Sequence, residues 1–181
     1  MTARPAADAV RGRDELLLFL DYDGALHHEN VWWDPTQGPF IKAAGSFTLF
    51  QHAELLAAVL QPYPAIRIVL STTWVLRYGL EASLKPLPAS LRERVIGATY
   101  EHGMNRRAFA ATPRGMQVWA DVLQRQPRNW VAVDDDDSDW PEWCRDSLIK
   151  THQEFGISEP GVLAELRAKL ALISGGASNA A

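Results

Sequence analysis

Short, continuous apolar runs alternate along the chain with longer stretches in which apolar residues recur every three or four positions. Leu16-Leu17-Leu18-Phe19-Leu20, Ile66-Arg67-Ile68-Val69-Leu70 and Trp130-Val131-Ala132-Val133 have the length and branching of strands buried on both faces. Arg94-Val95-Ile96-Gly97-Ala98 is a weaker run, and Ser147-Leu148-Ile149-Lys150-Thr151 carries polar residues that suit a sheet edge. Between these runs the period becomes helical. Leu55, Leu56, Val59 and Leu60 make a stripe within 51–61 that ends before Pro62, and Met116, Trp119, Ala120 and Leu123 make another within 116–125. Val162, Leu163, Leu166, Leu170 and Ile173 make a third, with Ser158 expected as its N-cap and Pro160 in its first turn. Parallel strands need crossover connections, and crossovers lay helices on the sheet. The pattern therefore predicts a three-layer α/β/α domain around a five-stranded parallel sheet.

One stretch breaks the rhythm. Residues 26–50 contain His27, His28, Trp32, Trp33, Pro35, Gly38, Pro39 and Gly45 and read as a long excursion from a strand end, where lids and binding loops are often found. The excursion is too short for a folded cap domain, so it predicts a flap only. Trp32 and Trp33 are candidates to stack on a base or another flat group of a substrate. The expected organisation is a flexible segment over 1–13, a single domain over 14–173 with its flap at about 26–50, and a flexible tail over 174–181.

Composition adds exclusions. With 181 residues, 47% of them hydrophobic and 22% charged, the chain has the material for one proper core. Its net charge of -4 argues against a surface built for general attraction to nucleic acid or anionic membrane. Cys144 is the only cysteine, so no intrachain disulfide can form and no zinc spacing is present. No stretch approaches the roughly 18 apolar residues of a membrane span, and a cytoplasmic location without a membrane partner is the expectation.

The chemistry lies at the ends of two strands. Asp21-Tyr22-Asp23-Gly24 follows the first apolar run and Asp134-Asp135-Asp136-Asp137 follows the Trp130 run. Carboxylates placed directly after buried parallel strands collect at the carboxyl rim of the sheet, where ligands bind in open α/β folds. Like charges packed there call for a hard divalent cation with oxygen ligands, and magnesium where the substrate is a phosphate. Asp136 and Asp137 read as solvated charge. His27 and His28 are adjacent and would point opposite ways on an extended chain, so they make no metal pair, and at least one is expected on the loop surface.

The segment Leu18-Phe19-Leu20-Asp21-Tyr22-Asp23-Gly24-Ala25-Leu26 resembles the first motif of the haloacid dehalogenase-like (HAD) superfamily. Ile68-Val69-Leu70-Ser71-Thr72 is similar to its second motif, and Val131-Ala132-Val133-Asp134-Asp135 to its fourth. The resemblance implies a Rossmann-like HAD fold and a magnesium-dependent phosphohydrolase. Asp21 would be the nucleophile, forming an aspartyl-phosphate, and Asp23 the general acid and base. Ser71 would hold a phosphoryl oxygen, with Thr72 as the alternate and Gly24 in the substrate-binding turn. Mg2+ would be held by Asp21, the Asp23 backbone carbonyl and Asp134 or Asp135. The third motif is a basic residue; Arg114 is the choice, with Arg106, Arg107 and Lys85 as alternatives.

Leu70-Ser71-Thr72-Thr73-Trp74 together with the aspartate run also resembles a HAD branch associated with RNA-repair proteins. The implied substrate is a phosphorylated small molecule or a polynucleotide end. Position 25 is alanine where HAD phosphotransferases usually carry Thr or Val, which keeps a second expectation open: a HAD-fold module that binds metal and phosphorylated ligand without turnover.

Overall fold

The computed structural model describes residues 10–175. Five parallel strands, β1 (Leu16–Leu20), β4 (Ile66–Leu70), β5 (Val95–Ala98), β6 (Asn129–Asp134) and β7 (Leu148–Lys150), form one sheet in the order β5-β4-β1-β6-β7. β1 is the central strand and every residue in it is buried. It is flanked by β4 on one side and β6 on the other, so the strand order reverses beside it, the point at which such sheets open a crevice. The fold is the three-layer α/β architecture that the alternating pattern predicts.

Two apolar layers cover the sheet. On one face Leu18, Leu20, Ile68 and Leu70 meet Leu56 and Leu60 of α1 (Ala53–Leu60) and Leu166 and Leu170 of α7 (Pro160–Gly175). On the other, Leu17, Phe19, Val69 and Ala132 meet Val118 and Val122 of α6 (Arg114–Arg125) and Trp140. Alternate residues of each strand thus serve opposite layers. Short helices α2 (Thr73–Tyr78), α3 (Leu80–Leu84), α4 (Ala89–Arg92) and α5 (Arg106–Ala110) complete the connections. The excursion folds into an antiparallel hairpin of β2 (Val31–Asp34) and β3 (Gly38–Ile41) that pairs Trp32 with Phe40 and Trp33 with Pro39.

Several expectations are corrected. The buried face of α6 is not the apolar stripe: Met116 and Leu123 are exposed, whereas Gln117, Val118, Asp121, Val122 and Arg125 are buried. The helix is rotated because Asp121 and Arg125 satisfy each other at 2.6 Å, and Arg125 also donates to the carbonyls of Arg11 and Ala98. A buried charge that is paired and hydrogen-bonded costs far less than an unpaired one. Glu159, rather than Ser158, caps α7: its carboxylate accepts from the Val162 N–H at 2.8 Å, while the Ser158 hydroxyl donates to the Phe155 carbonyl.

Neither His27 nor His28 lies on the surface, since aromatic rings of Phe50 and Trp74 enclose the first and Phe47 packs on the second. Most of the two stretches expected to be flexible lies outside the described residues. Of the first stretch, the Arg11 carbonyl is held by Arg125 and Gly12 packs against Leu17 and Ile96; of the second, Ser174 and Gly175 continue α7.

Candidate active site

Strand register assembles the acidic rim. Leu20 is level with Leu70 on one side and Val133 on the other, so the next residues, Asp21, Ser71 and Asp134, lie side by side. Backbone bonds carry the ladder past the strand ends: Asp21 N–H to the Val133 carbonyl at 3.0 Å, Ser71 N–H to Leu20 at 2.8 Å and Thr151 N–H to Asp134 at 2.9 Å. Beyond Asp21 the chain turns at Gly24, where φ is +69°. A Cβ there would collide with the carboxyl carbon of Asp135, so glycine supplies both the left-handed turn and the space over which Asp135 folds. The Thr151 hydroxyl fastens this turn from the far side, donating to the Gly24 carbonyl at 2.6 Å.

The result is a compact group of oxygens. Asp21, Asp134 and Asp135 each offer a carboxylate oxygen, all within 4.8 Å of one another. Arg114, the first residue of α6, reaches into the group, with Nη2 at 3.8 Å from Asp21 Oδ2 and Nε at 3.4 Å from Asp134 Oδ2. It can do so because α6 leads into β6: an antiparallel helix on a parallel sheet presents its N-terminal end to the carboxyl rim.

Burial makes these charges costly. It raises the pKa of Asp21 above the ordinary carboxylate range, a shift that Arg114 opposes and Asp23 reinforces. It raises Asp134 further, with Asp21 adding to the effect, and lifts Asp135 to about 7. Burial works against the Arg114 charge too, but the surrounding carboxylates outweigh it and its pKa is raised. Three carboxylates facing one guanidinium leave two negative charges over, in an all-oxygen donor set of the kind that suits a hard divalent ion. The residues present fit such an ion.

Asp23 is held apart from this group. Its Oδ1 accepts the indole N–H of Trp74 at 2.8 Å and lies 2.9 Å from Nε2 of His27. The tautomer of that histidine follows from its other nitrogen, because Nδ1 accepts the Phe50 N–H at 3.2 Å. A neutral ring then carries its proton on Nε2 and donates it to Asp23. Both donors converge on one oxygen of Asp23.

Ser71 adds an unusual signal. Its Oγ is buried and has no hydrogen-bond partner among the described residues. A buried hydroxyl without a partner is costly and calls for one. Its place beside Asp21 in the ladder is where a phosphoryl oxygen would supply it. Thr72 caps α2, its hydroxyl accepting from the Trp74 N–H, and so orients the helix that delivers Trp74.

Other candidates lie elsewhere. Trp32 and Trp33 stand half-exposed on the flap and line a separate hollow with Val31, Arg77 and Tyr78. Lys85, Arg106 and Arg107 are exposed on or beside short helices. Asp137 binds Lys150 at 2.6 Å and Asp136 accepts from the Ser138 N–H. Sequence reasoning missed His27, Trp74 and Thr151; the first two follow strand-end motifs by only a few residues, which was the available signal. The rim opens on a polar hollow of about 840 Å³ bordered by Glu29, Asp135, Ser138, Lys150 and His152.

A family model described as "HAD domain in Swiss Army Knife RNA repair proteins" matches residues 17–162, from β1 to the start of α7. No curated protein and no solved structure matches the chain.

Proposed function

The chain belongs to the family of HAD domains found in Swiss Army Knife RNA repair proteins, and from that premise we propose that it is a magnesium-dependent phosphohydrolase acting through an aspartyl-phosphate. The observation that carries this reading is the convergence of Asp21, Asp134 and Asp135 within 4.8 Å, with Arg114 among them and the unpartnered Ser71 hydroxyl alongside. A bound magnesium ion would offset charge on the phosphoryl oxygens, held by Asp21, Asp134 and Asp135 together with the Asp23 backbone carbonyl that the HAD resemblance assigns.

The chain's own residues supply the remaining chemistry. A carboxylate oxygen of Asp21 attacks phosphorus while the bond to the leaving oxygen breaks, and Asp23 gives that oxygen a proton. Asp23 then takes a proton from water, which attacks the same phosphorus and frees phosphate and the Asp21 carboxylate. Ser71 and Arg114 hold phosphoryl oxygens through both displacements. His27 and Trp74 act through Asp23: by fixing its Oδ1 they aim Oδ2 at the leaving oxygen. Ala25 is compatible with this scheme, since its side chain is buried and its carbonyl accepts from the Ile157 N–H at 3.0 Å, tying the catalytic loop to the loop before α7.

The family description supports a polynucleotide end as the substrate, with a phosphorylated small molecule as the simpler case. The test is phosphate release from a generic aryl phosphate with and without magnesium, by the native protein and by Asp21→Asn. Release that needs both magnesium and Asp21 is the expected result, and equal rates for the two proteins overturn it. Saturable binding of magnesium and phosphate with no turnover across a broad ester panel would instead establish the binding module without catalysis.

A further inference from the structure

A second hollow, between the flap and the C-terminal end of α2, takes no part in the chemistry above. Val31, Trp32, Trp33, Arg77 and Tyr78 line about 700 Å³ of it. Trp32 and Trp33 are 50% and 49% exposed, whereas Trp74 and Trp140 are 8% and 3% exposed. Two indoles held in water on one four-residue strand forgo the burial that drives tryptophan into cores, and exposed aromatic surface of this size marks a binding face. The hairpin holds Trp32 in place: its indole N–H donates to Asn30 Oδ1 at 2.6 Å, and Asn30 is itself tied to the Lys42 carbonyl across the flap.

Charge selects the occupant. Lys42 Nζ lies over the Trp32 ring, 4.4 Å from its centroid, and the Arg77 guanidinium is 6.0 Å from the centroid of Tyr78. None of the lining residues is acidic, in contrast to the polar hollow at the acidic rim. Flat π surfaces edged by cations, in a protein of net charge -4, complement a planar group attached to an anion.

Position ties this hollow to the acidic rim. The Tyr78 ring lies 5.4 Å from the ring of Trp74, and the Trp74 indole donates to Asp23 at 2.8 Å. One indole therefore separates the hollow from the carboxylate assigned to proton transfer. The helix joining them spans only about 8 Å from end to end. A group stacked in the hollow and a phosphate at Asp21 are thus close enough to belong to the same end of one strand.

We propose that the flap hollow holds the terminal nucleobase of a phosphorylated polynucleotide whose end phosphate lies at Asp21. The proposal rests on the phosphohydrolase reading and names its substrate. Stacking engages the π face that every base has, so the site would accept all four bases.

The experiment compares short single-stranded oligonucleotides phosphorylated at the 3′ or the 5′ end, each made with a normal or an abasic terminal nucleotide, alongside glycerol phosphate. For at least one of the two ends, the terminal base should lower KM about tenfold, in keeping with the strength of base–aromatic stacking. That preference should vanish in Trp32→Ala/Trp33→Ala. Equal KM values with and without the base at both ends, or a preference that survives the double variant, would overturn the proposal. The same oligonucleotides, fluorescently labelled, are titrated into Asp21→Asn in parallel. If no ester is turned over, the phosphohydrolase reading fails by itself. Weaker binding of the abasic ends to Asp21→Asn would then still support the hollow, and indifference to the base would overturn it.

Discussion

The two ends of α6 each put an arginine among carboxylates, and the two are built for opposite ends. Arg125, the last residue, is locked: Asp121 lies at 2.6 Å, Glu101 at 3.2 Å, and the carbonyls of Arg11 and Ala98 each accept a further hydrogen bond from it. Arg114, the first residue and about 16 Å away along the helix, is loose: its carboxylates are at 3.4 and 3.8 Å and it faces three of them. The first cluster is closed and holds the N-terminal segment and β5 to α6. The second is open and unbalanced, which is poor for stability and suits the ion and anionic substrate proposed for it. Buried charge alone therefore does not mark function; unsatisfied buried charge does.

The contrast can be broken most directly by removing each arginine. Arg125→Ala should cost about 3–5 kcal/mol of unfolding free energy, because it leaves Asp121 buried and uncompensated. Arg114→Ala should cost less than half of that while lowering phosphate release about a hundredfold or more. Urea unfolding monitored by circular dichroism, set beside the aryl phosphate assay, checks both, and equal stability losses would erase the distinction.

The closed cluster should also carry a pH signature. Burial lifts the Asp121 carboxyl from its ordinary 3.8 to about 6, against the pull of Arg125. A carboxyl raised on folding adds stability that is whole below about pH 4 and is lost as the pH rises through about 6, here on the order of 2–3 kcal/mol. In Asp121→Asn the fall in stability between pH 4 and 6 should be correspondingly flatter than in the native protein. A fall of unchanged size in the variant would assign it to other groups.

At the open cluster, magnesium should do what Asp121 does for Arg125. Near a hundred times its dissociation constant it should stabilise the fold by about 2.7 kcal/mol, a rise in Tm of roughly 5–10 °C for a domain of this size. Asp134→Asn and Asp135→Asn should each shrink that rise, and chelator should reverse it in the native protein. A Tm indifferent to magnesium would remove the cation from the scheme.

The smallest expected effect concerns the aim of Asp23. His27→Phe keeps the ring packing and removes the donor, so turnover of an alkyl phosphate, which needs a proton on its leaving oxygen, should fall about tenfold. An aryl phosphate with a good leaving group should be hardly affected, and His27→Gln, which keeps a donor, should recover part of the loss. Equal losses on both substrates would make His27 merely structural.

Much of the fold was legible because its signal is local. Continuous apolar runs and their helical spacers depend only on neighbouring residues, and they marked all five strands of the sheet and the helices α1, α6 and α7. The acidic clusters were legible for the same reason, since a strand end is a place in the sequence. What failed was orientation. The apolar stripe of α6 points to Met116 and Leu123, yet the helix turns Asp121 and Arg125 inward, because Arg11, Ala98 and Glu101 are waiting there. His27 and His28 read as loop residues until Phe47, Phe50 and Trp74 closed around them.

The sequence by itself determined which strands make the parallel sheet, that carboxylates end two of them, and which turn could carry a glycine at +69°. Only the tertiary structure decided that Asp134 and Asp135 both reach Asp21, that Arg114 rather than Lys85, Arg106 or Arg107 stands among them, and that Asp23 is set apart by His27 and Trp74. The physical reason is range. Periodicity and turn chemistry are settled within a few residues, but the sign and balance of charge at a point in space are settled by parallel register and crossover packing, which bring together residues more than a hundred positions apart.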